Sequence, residues 1–282
     1  MLPGLSQDRC LVMGVVNVTP DSFSDGGKWL DADTAIRHGL ELVADGADLV
    51  DVGGESTRPG AVRIDADEEL RRVLPVIDGL VAEGVTVSVD TMRAAVADRA
   101  LTAGASLVND VSGGRADPAM MGLAAESGSP IVLMHWREHS DVMQQHTHYD
   151  DLIADIRTEL RQQVDAAVAA GVALSRIVLD PGLGFSKTGD QNWTVLAHLD
   201  ELISMGHPLL VAASRKRFLG ELLADPLPDG GRQLRSTDRR EAATAAVTTL
   251  SAAAGAWCVR VHDPAPSADA VRVAARLGQE TR

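Results

Sequence analysis

Residues 11–18 read Leu-Val-Met-Gly-Val-Val-Asn-Val, a run in which Asn17 is the only polar side chain and four residues are Val. β-branched residues held in a continuous apolar run form a strand buried on both faces. The same unit recurs along the chain: a short β-branched apolar run, a polar turn, then an Ala/Leu/Glu/Arg-rich stretch with helical spacing. The further strand candidates are 49–54 (LVDVGG), 85–90 (VTVSVD), 106–111 (SLVNDV), 130–135 (PIVLMH), 177–181 (IVLDP), 208–214 (PLLVAAS) and 257–262 (WCVRVH). Amphipathic stretches such as 67–83, 151–171 and 239–255 lie between them. Near-continuous apolar strands alternating with helices imply a parallel sheet covered by helices. Eight such units in 282 residues fit an α/β chain closed into a (β/α)₈ TIM barrel, with a doubly wound open sheet as the competing arrangement. No linker, low-complexity run or shift of composition divides residues 1–282, so one domain is expected.

The composition narrows the partners. A formal net charge of −14 argues against nucleic acid, whose phosphates reward basic surfaces, yet a local cluster of Arg, Lys and His can still take a small anion. Aromatic residues are 3% of the chain, so the core is expected to be built from Ala, Val, Leu and Ile. Cys10 and Cys258 both sit in strand-like apolar runs and read as reduced thiols of an intracellular, cytoplasmic protein. The opening MLPGLSQDRC is not a signal peptide, and no apolar run approaches the roughly 20 residues of a membrane span.

The placement of polar residues then locates a site. Asn17, Asp90, Asn109, Asp180, Ser214, Lys216, Arg260 and His262 all fall at the C-terminal ends of expected strands or just beyond. In a barrel that end is the catalytic face. Side chains two apart on a strand share a face, which pairs Arg260 with His262, Ser214 with Lys216, and Ser88 with Asp90. Charges held together on one face of a buried strand are costly unless they meet a ligand or each other. The strand ends should therefore converge on one polar pocket.

The motifs around these positions resemble those of the dihydropteroate synthases, in order and over nearly the whole chain. The first is Asn17-Val-Thr-Pro-Asp-Ser-Phe-Ser-Asp-Gly-Gly27, the second Val52-Gly-Gly-Glu-Ser-Thr-Arg-Pro-Gly60. There follow Ser88-Val-Asp-Thr91, Asn109-Asp-Val-Ser-Gly-Gly114, Met134-His135, Asp180-Pro-Gly-Leu-Gly-Phe-Ser-Lys187, Ser214-Arg-Lys216 and Arg260-Val-His262. The resemblance implies condensation of 6-hydroxymethyl-7,8-dihydropterin diphosphate with 4-aminobenzoate, releasing pyrophosphate, in a homodimer that uses Mg²⁺. It further implies that Asp180 reads the amino-pyrimidinone edge of the pterin, as a carboxylate can accept two donors side by side. Asp90, Asn109, Ser214 and Lys216 would complete the pterin's polar contacts, and Met134 and Phe185 would face its ring. Arg260, His262, Asn17 and Thr57 would meet the diphosphate, with Asn17 also holding the Mg²⁺. Phe23, Ser24, Asp25, Thr57, Arg58, Pro59 and Lys216 would shape the 4-aminobenzoate site. Position 217 often carries serine in the family; here Arg217 stands there and could serve the same carboxylate. Asp90, Lys216, Arg260 and His262 would be the catalytic set.

Each assignment has a plainer rival. Asp180 precedes Pro181-Gly182 and could be a helix N-cap. Asn109 could satisfy backbone at a strand end. Arg260 could pair with one of the pocket aspartates. The two early loops could owe their residues to turn chemistry. His135, His139, His146 and His148 lack zinc-like geometry and read as satisfied or solvated. Two rival functions also remain: a catalytically silent pterin-binding paralogue, and a pterin-binding methyltransferase domain, which should lack the Gly-Gly-Glu-Ser-Thr-Arg-Pro-Gly loop.

Overall fold

The structure, a computed structural model, describes residues 2, 5, 8–19, 32–56, 63–139, 142–228 and 230–280. Phe23, Ser24, Asp25, Thr57, Arg58 and Pro59 lie outside the described residues. Within them, strands β1 (Leu11–Asn17), β2 (Leu49–Gly53), β3 (Val87–Asp90), β4 (Leu107–Asp110), β5 (Ile131–Met134), β6 (Ile177–Asp180), β7 (Leu210–Val211) and β10 (Cys258–Val261) form one parallel sheet. The first and last of these are hydrogen-bonded neighbours, with Leu11 in register with Cys258. A bridge between Leu179 and Leu209, with Leu179 N–H donating to the Pro208 carbonyl at 2.8 Å, joins β6 to the β7 segment and closes the ring. The TIM barrel expected from the sequence is what forms.

Alternation along the strands separates two apolar layers. Leu11, Met13, Leu49, Leu107, Val132, Val178, Leu210 and Cys258 cluster together as a plug inside the barrel. Their neighbours in sequence, among them Val12, Val50, Val108, Ile131, Leu133, Ile177, Leu179, Val211 and Val259, belong to a second cluster shared with the surrounding helices. Truncating a plug leucine such as Leu11 to alanine should cost about 2–5 kcal/mol, since a closed ring of strands cannot collapse into the void.

The helices start where local chemistry satisfies their first N–H groups. Asp65 accepts from Glu68 N–H at 2.8 Å ahead of helix Ala66–Ala82, whose first turn carries Asp67, Glu68 and Glu69 against the positive end of the helix dipole. Thr188 and Gln191 form a reciprocal capping box ahead of helix Gly189–Ala197. The stretches expected as helices at 67–83, 151–171 and 239–255 appear as Ala66–Ala82, Leu152–Ala169 and Glu241–Ala254. Two differences stand out. The ladder of β7 is only Leu210–Val211, and residues 212–216 leave the sheet as a turn. The chain also inserts a two-stranded hairpin, β8 (Asp225–Pro226) with β9 (Arg232–Gln233), before helix Glu241–Ala254. Its exposed, polar residues have no hydrophobic period to announce them.

Candidate active site

Going from the plug toward the C-terminal ends, four inward-facing series turn polar: Leu49 is followed by Asp51, Leu107 by Asn109, Val178 by Asp180, and Cys258 by Arg260 and His262. Apart from Asp51, which lies beneath the floor, these side chains open onto a cavity of about 890 Å³. Asn17, Asp90, Asn109, Met134, Asp180, Phe185, Ser214, Lys216, Arg217, Arg260 and His262 all line it. Every site residue expected from the sequence that lies among the described residues is thus brought to one place.

At the floor lies a buried charge cluster. Arg260 donates from Nε to Asp51 Oδ2 at 2.6 Å and from Nη2 to Asp90 Oδ2 at 2.8 Å. The rival reading of Arg260, an ion pair with pocket aspartates, is therefore realised, although the guanidinium also lines the cavity. Asp51 has no exposed surface, and its Oδ2 also accepts from Asn109 Nδ2 at 2.8 Å. An amide whose nitrogen is fixed this way has its carbonyl oxygen turned away from Asp51, ready to accept from a ligand. Burial pushes Asp90 up to about 7, with the charges of Asp51, Glu69 and Asp110 adding to it and Arg260 opposing it. Gly53, in register with Asp90, leaves the room this cluster needs: a Cβ there would sit 3.3 Å from Asp90 Cβ and 3.6 Å from Asn17 Oδ1.

One wall is the segment 180–187. Asp180 Oδ1 accepts from Gly182 N–H at 2.7 Å, so Asp180 closes a turn rather than capping a helix. Burial raises the Asp180 carboxyl, opposed chiefly by Lys216. Gly182 has φ +67°, and a side chain there would strike the His135 carbonyl oxygen. The Lys216 ammonium donates to the Leu183 carbonyl and stands 4.5 Å from the Phe185 ring centroid. Burial brings Lys216 down to about 8.

The opposite wall is Ser214 to Lys216 with the end of β10. Ser214 Oγ accepts from His262 N–H at 3.2 Å and lies 2.9 Å from His262 Nδ1. When the serine proton is given to Nδ1, the ring proton sits on Nε2, where it is a donor. Arg215 is held at φ +58°, its carbonyl accepting from Arg240 Nη1 at 2.6 Å and its N–H donating to Thr244 Oγ1 at 3.3 Å. Ser214 and Lys216 meet the same cavity through this turn, and not through the strand alternation that the sequence suggested. Arg217 is exposed at the rim, its Nε 2.7 Å from Glu221 Oε1.

Sequence reasoning passed over two residues. Asp51 is a lone carboxylate in an apolar strand, two before Gly53, and the same-face argument applied to Ser88 and Asp90 would have singled it out. Lys187 entered only as the last residue of a motif. It is 3% exposed and bonded to His135, itself fully buried. Among the described residues no group of three or more His, Cys, Asp or Glu side chains is placed to hold a metal ion.

Comparison with known proteins agrees with this geometry. The model of the pterin binding enzyme family matches residues 13–262. A dihydropteroate synthase of Mycobacterium leprae is 56% identical over 263 residues, covering 93% of this chain and 91% of that one. The chain belongs to the dihydropteroate synthase family of pterin-binding enzymes. Among solved structures, the Yersinia pestis dihydropteroate synthase in a sulfonamide drug complex superposes with a TM-score of 0.91 at 39% identity, covering 99% of this chain and 98% of that one. The Xanthomonas albilineans dihydropteroate synthase in complex with 7,8-dihydropteroate gives a TM-score of 0.84 at 41% identity, covering 97% and 95%. In this family member the matched span runs from the barrel plug at Met13 to His262, the last cavity residue of β10.

Proposed function

We infer that the chain catalyses the dihydropteroate synthase reaction, joining 6-hydroxymethyl-7,8-dihydropterin diphosphate to 4-aminobenzoate in folate biosynthesis. The observation that carries this is the convergence, in one cavity, of buried carboxylates, an amide acceptor and cationic donors from different strand ends. Asp180 from β6 and the Asn109 carbonyl from β4 provide acceptors in the same cavity for the donor edge of a pterin, with Phe185 and Met134 for the flat ring. Lys216, between Asp180 and the Phe185 ring, meets the pterin's acceptors.

In the reaction the C–O bond between the pterin methylene and the diphosphate breaks, and its electron pair leaves on pyrophosphate. The aniline nitrogen of 4-aminobenzoate forms the new C–N bond and sheds a proton to the leaving anion or to water. Asp90 and Asp180 favour the positive charge that develops on the pterin as the leaving group departs. His262, presenting Nε2–H, and the N–H groups of Arg260 beyond those held by Asp51 and Asp90 face the charge that grows on the diphosphate. A loose, SN1-like course fits this division of charge. Asn17 brings a hard carbonyl oxygen to the cavity lining, a donor type that suits Mg²⁺, an ion that completes its shell with phosphate oxygens and water. Bound there, Mg²⁺ would supply electrostatic stabilisation of the departing pyrophosphate. Phe23, Ser24, Asp25, Thr57, Arg58 and Pro59 remain assigned to 4-aminobenzoate, with Thr57 also at the diphosphate, and Arg217, exposed at the rim beside Glu221, is assigned to its carboxylate.

No helix among the described residues is long and apolar enough to cross a membrane, in keeping with a cytoplasmic enzyme. Leu250, Val273 and Leu277 are exposed apolar side chains on the packed helices Glu241–Ala254 and Pro264–Glu280, surface of the kind a homodimer would cover. The test of function is pyrophosphate release from the pterin diphosphate, with and without 4-aminobenzoate and Mg²⁺. Release that needs all three is expected. Pterin binding with no release under any condition would identify a silent pterin-binding protein instead.

A further inference from the structure

From Lys187, which lines the cavity beside Phe185 and Lys216, a chain of polar side chains runs away from the site, and no step of the reaction uses it. The Lys187 ammonium has three acceptors: His135 Nδ1 at 3.0 Å, the Gly182 carbonyl at 3.1 Å and the Phe185 carbonyl at 3.2 Å. A charged lysine has three N–H donors, so all are satisfied. For Nδ1 to accept, His135 must carry its proton on Nε2, and Nε2 lies 3.0 Å from Glu159 Oε2. Burial draws His135 down to about 3, so the ring is neutral, as this pattern requires. Arg137 Nε bonds both oxygens of Glu159, at 3.1 and 3.0 Å. The Arg137 guanidinium lies 3.7 Å from the Tyr149 ring centroid, and the Tyr149 hydroxyl donates to the Ser186 carbonyl at 2.9 Å. The circuit begins and ends on the same loop.

That loop holds a backbone few sequences adopt unaided, with φ +67° at Gly182, +80° at Gly184 and +46° at Ser186. Left-handed geometry at a residue with a Cβ costs about 1–2 kcal/mol and persists only where the surroundings over-determine it. Phe185 sits within it, under the Lys216 ammonium.

We propose that Lys187 is a positioning residue for the pterin site, holding the 182–186 loop through the His135, Glu159, Arg137 and Tyr149 circuit so that Phe185 and Lys216 meet the ligand. The inference rests on the pterin-binding reading of the cavity. The charged and titratable groups facing Lys187 are Asp180, Lys216, Arg137 and Glu159, with neutral His135 in direct contact. Burial lowers Lys187 to about 7, so the third donor is lost as pH rises through neutrality.

The experiment is calorimetric binding of 6-hydroxymethyl-7,8-dihydropterin from roughly pH 6 to 9, using the full chain, K187M, E159Q and the double variant. Lys187 lines the cavity and Glu159 does not, so E159Q is the variant that reaches the ligand only through the circuit. At low pH, K187M should weaken binding about tenfold or more and speed amide exchange over residues 182–187, because small displacements of contacting groups are expensive. E159Q removes a negative neighbour and should move the affinity loss to lower pH, an effect absent when Lys187 is already methionine. A lowered melting temperature with pterin affinity within about twofold of the parent, or an E159Q effect equal in both backgrounds, would show a merely structural role and overturn the proposal. Should K187M fail to fold, E159Q decides alone: an unmoved profile overturns it. Failure of the unaltered chain to bind the pterin would instead remove the functional reading, and this inference with it.

Discussion

Asp51→Asn separates charge from geometry at the floor of the pocket. One oxygen, Oδ2, accepts from both Arg260 and Asn109, while Oδ1 is buried with no partner. Asparagine can set its carbonyl oxygen where Oδ2 stood, so both hydrogen bonds keep their geometry and only the negative charge is lost. Its amide nitrogen then replaces an acceptor that was already unpaired, which adds little. The Asn109 bond becomes neutral and falls from about 1.5–3 to about 0.5–1.5 kcal/mol, whereas the Arg260 bond keeps its charged donor and loses the ion-pair attraction, so the change should cost at least about 1–1.5 kcal/mol. Asp51→Ala, which leaves Arg260 with Asp90 alone and Asn109 unpaired, should cost more, about 3–5 kcal/mol. The same change removes a like charge from the neighbourhood of Asp90, whose carboxyl should move down from about 7. Urea unfolding at neutral pH, extrapolated to water, measures the stability, and carboxyl NMR titration measures Asp90. An Asp51→Asn chain within about 0.5 kcal/mol of the parent would refute the account of Asp51 as the counter-charge of Arg260.

Four further outcomes are expected. Asp180→Asn should weaken pterin binding roughly tenfold to 150-fold, since an amide cannot accept two donors as a carboxylate does, and unchanged calorimetric affinity would take Asp180 out of that role. 4-Aminobenzoate should bind at least about tenfold more tightly when pyrophosphate, Mg²⁺ and a pterin are present, because a first ligand that completes a site removes the cost of forming it; equilibrium dialysis giving equal affinities would argue for a site complete beforehand. Burial raises Cys10 to about 12 and Cys258 well above the ordinary thiol range, so native alkylation at mildly alkaline pH should be slow at both and become fast on unfolding, as read by mass spectrometry. His135 is drawn from 6.5 to about 3, so the folded chain binds this proton less tightly than the unfolded one. Its contribution to stability is complete above about pH 6.5 and is lost as pH falls toward 3. His135→Asn should flatten the stability profile between pH 6.5 and the range where carboxylates titrate, and an unchanged slope there would contradict the neutral, buried assignment.

Local sequence pattern specifies the barrel and the face that carries chemistry. Strand identity is written locally, in β-branched runs such as Leu11 to Val18, and the helices in their apolar period and caps. The change from apolar to polar along one face, as from Cys258 to Arg260 and His262, is a property of a single strand, so it too was legible. Local pattern could not say where β7 ends, since Ala212 and Ala213 suit a strand or a turn equally well. It could not choose a partner for Arg260 either: Asp51 is 209 residues away in sequence and Asp90 is 170. Which carboxylate meets the guanidinium depends on inter-strand register and on closure of the ring. The same holds for Lys187, whose circuit draws on the residues just after β5, the segment before helix Leu152–Ala169, and that helix itself. Periodicity fixes which way a side chain faces; only packing of the closed barrel fixes what it meets there, because a buried polar group takes whichever partner the surrounding strands bring within about 3 Å.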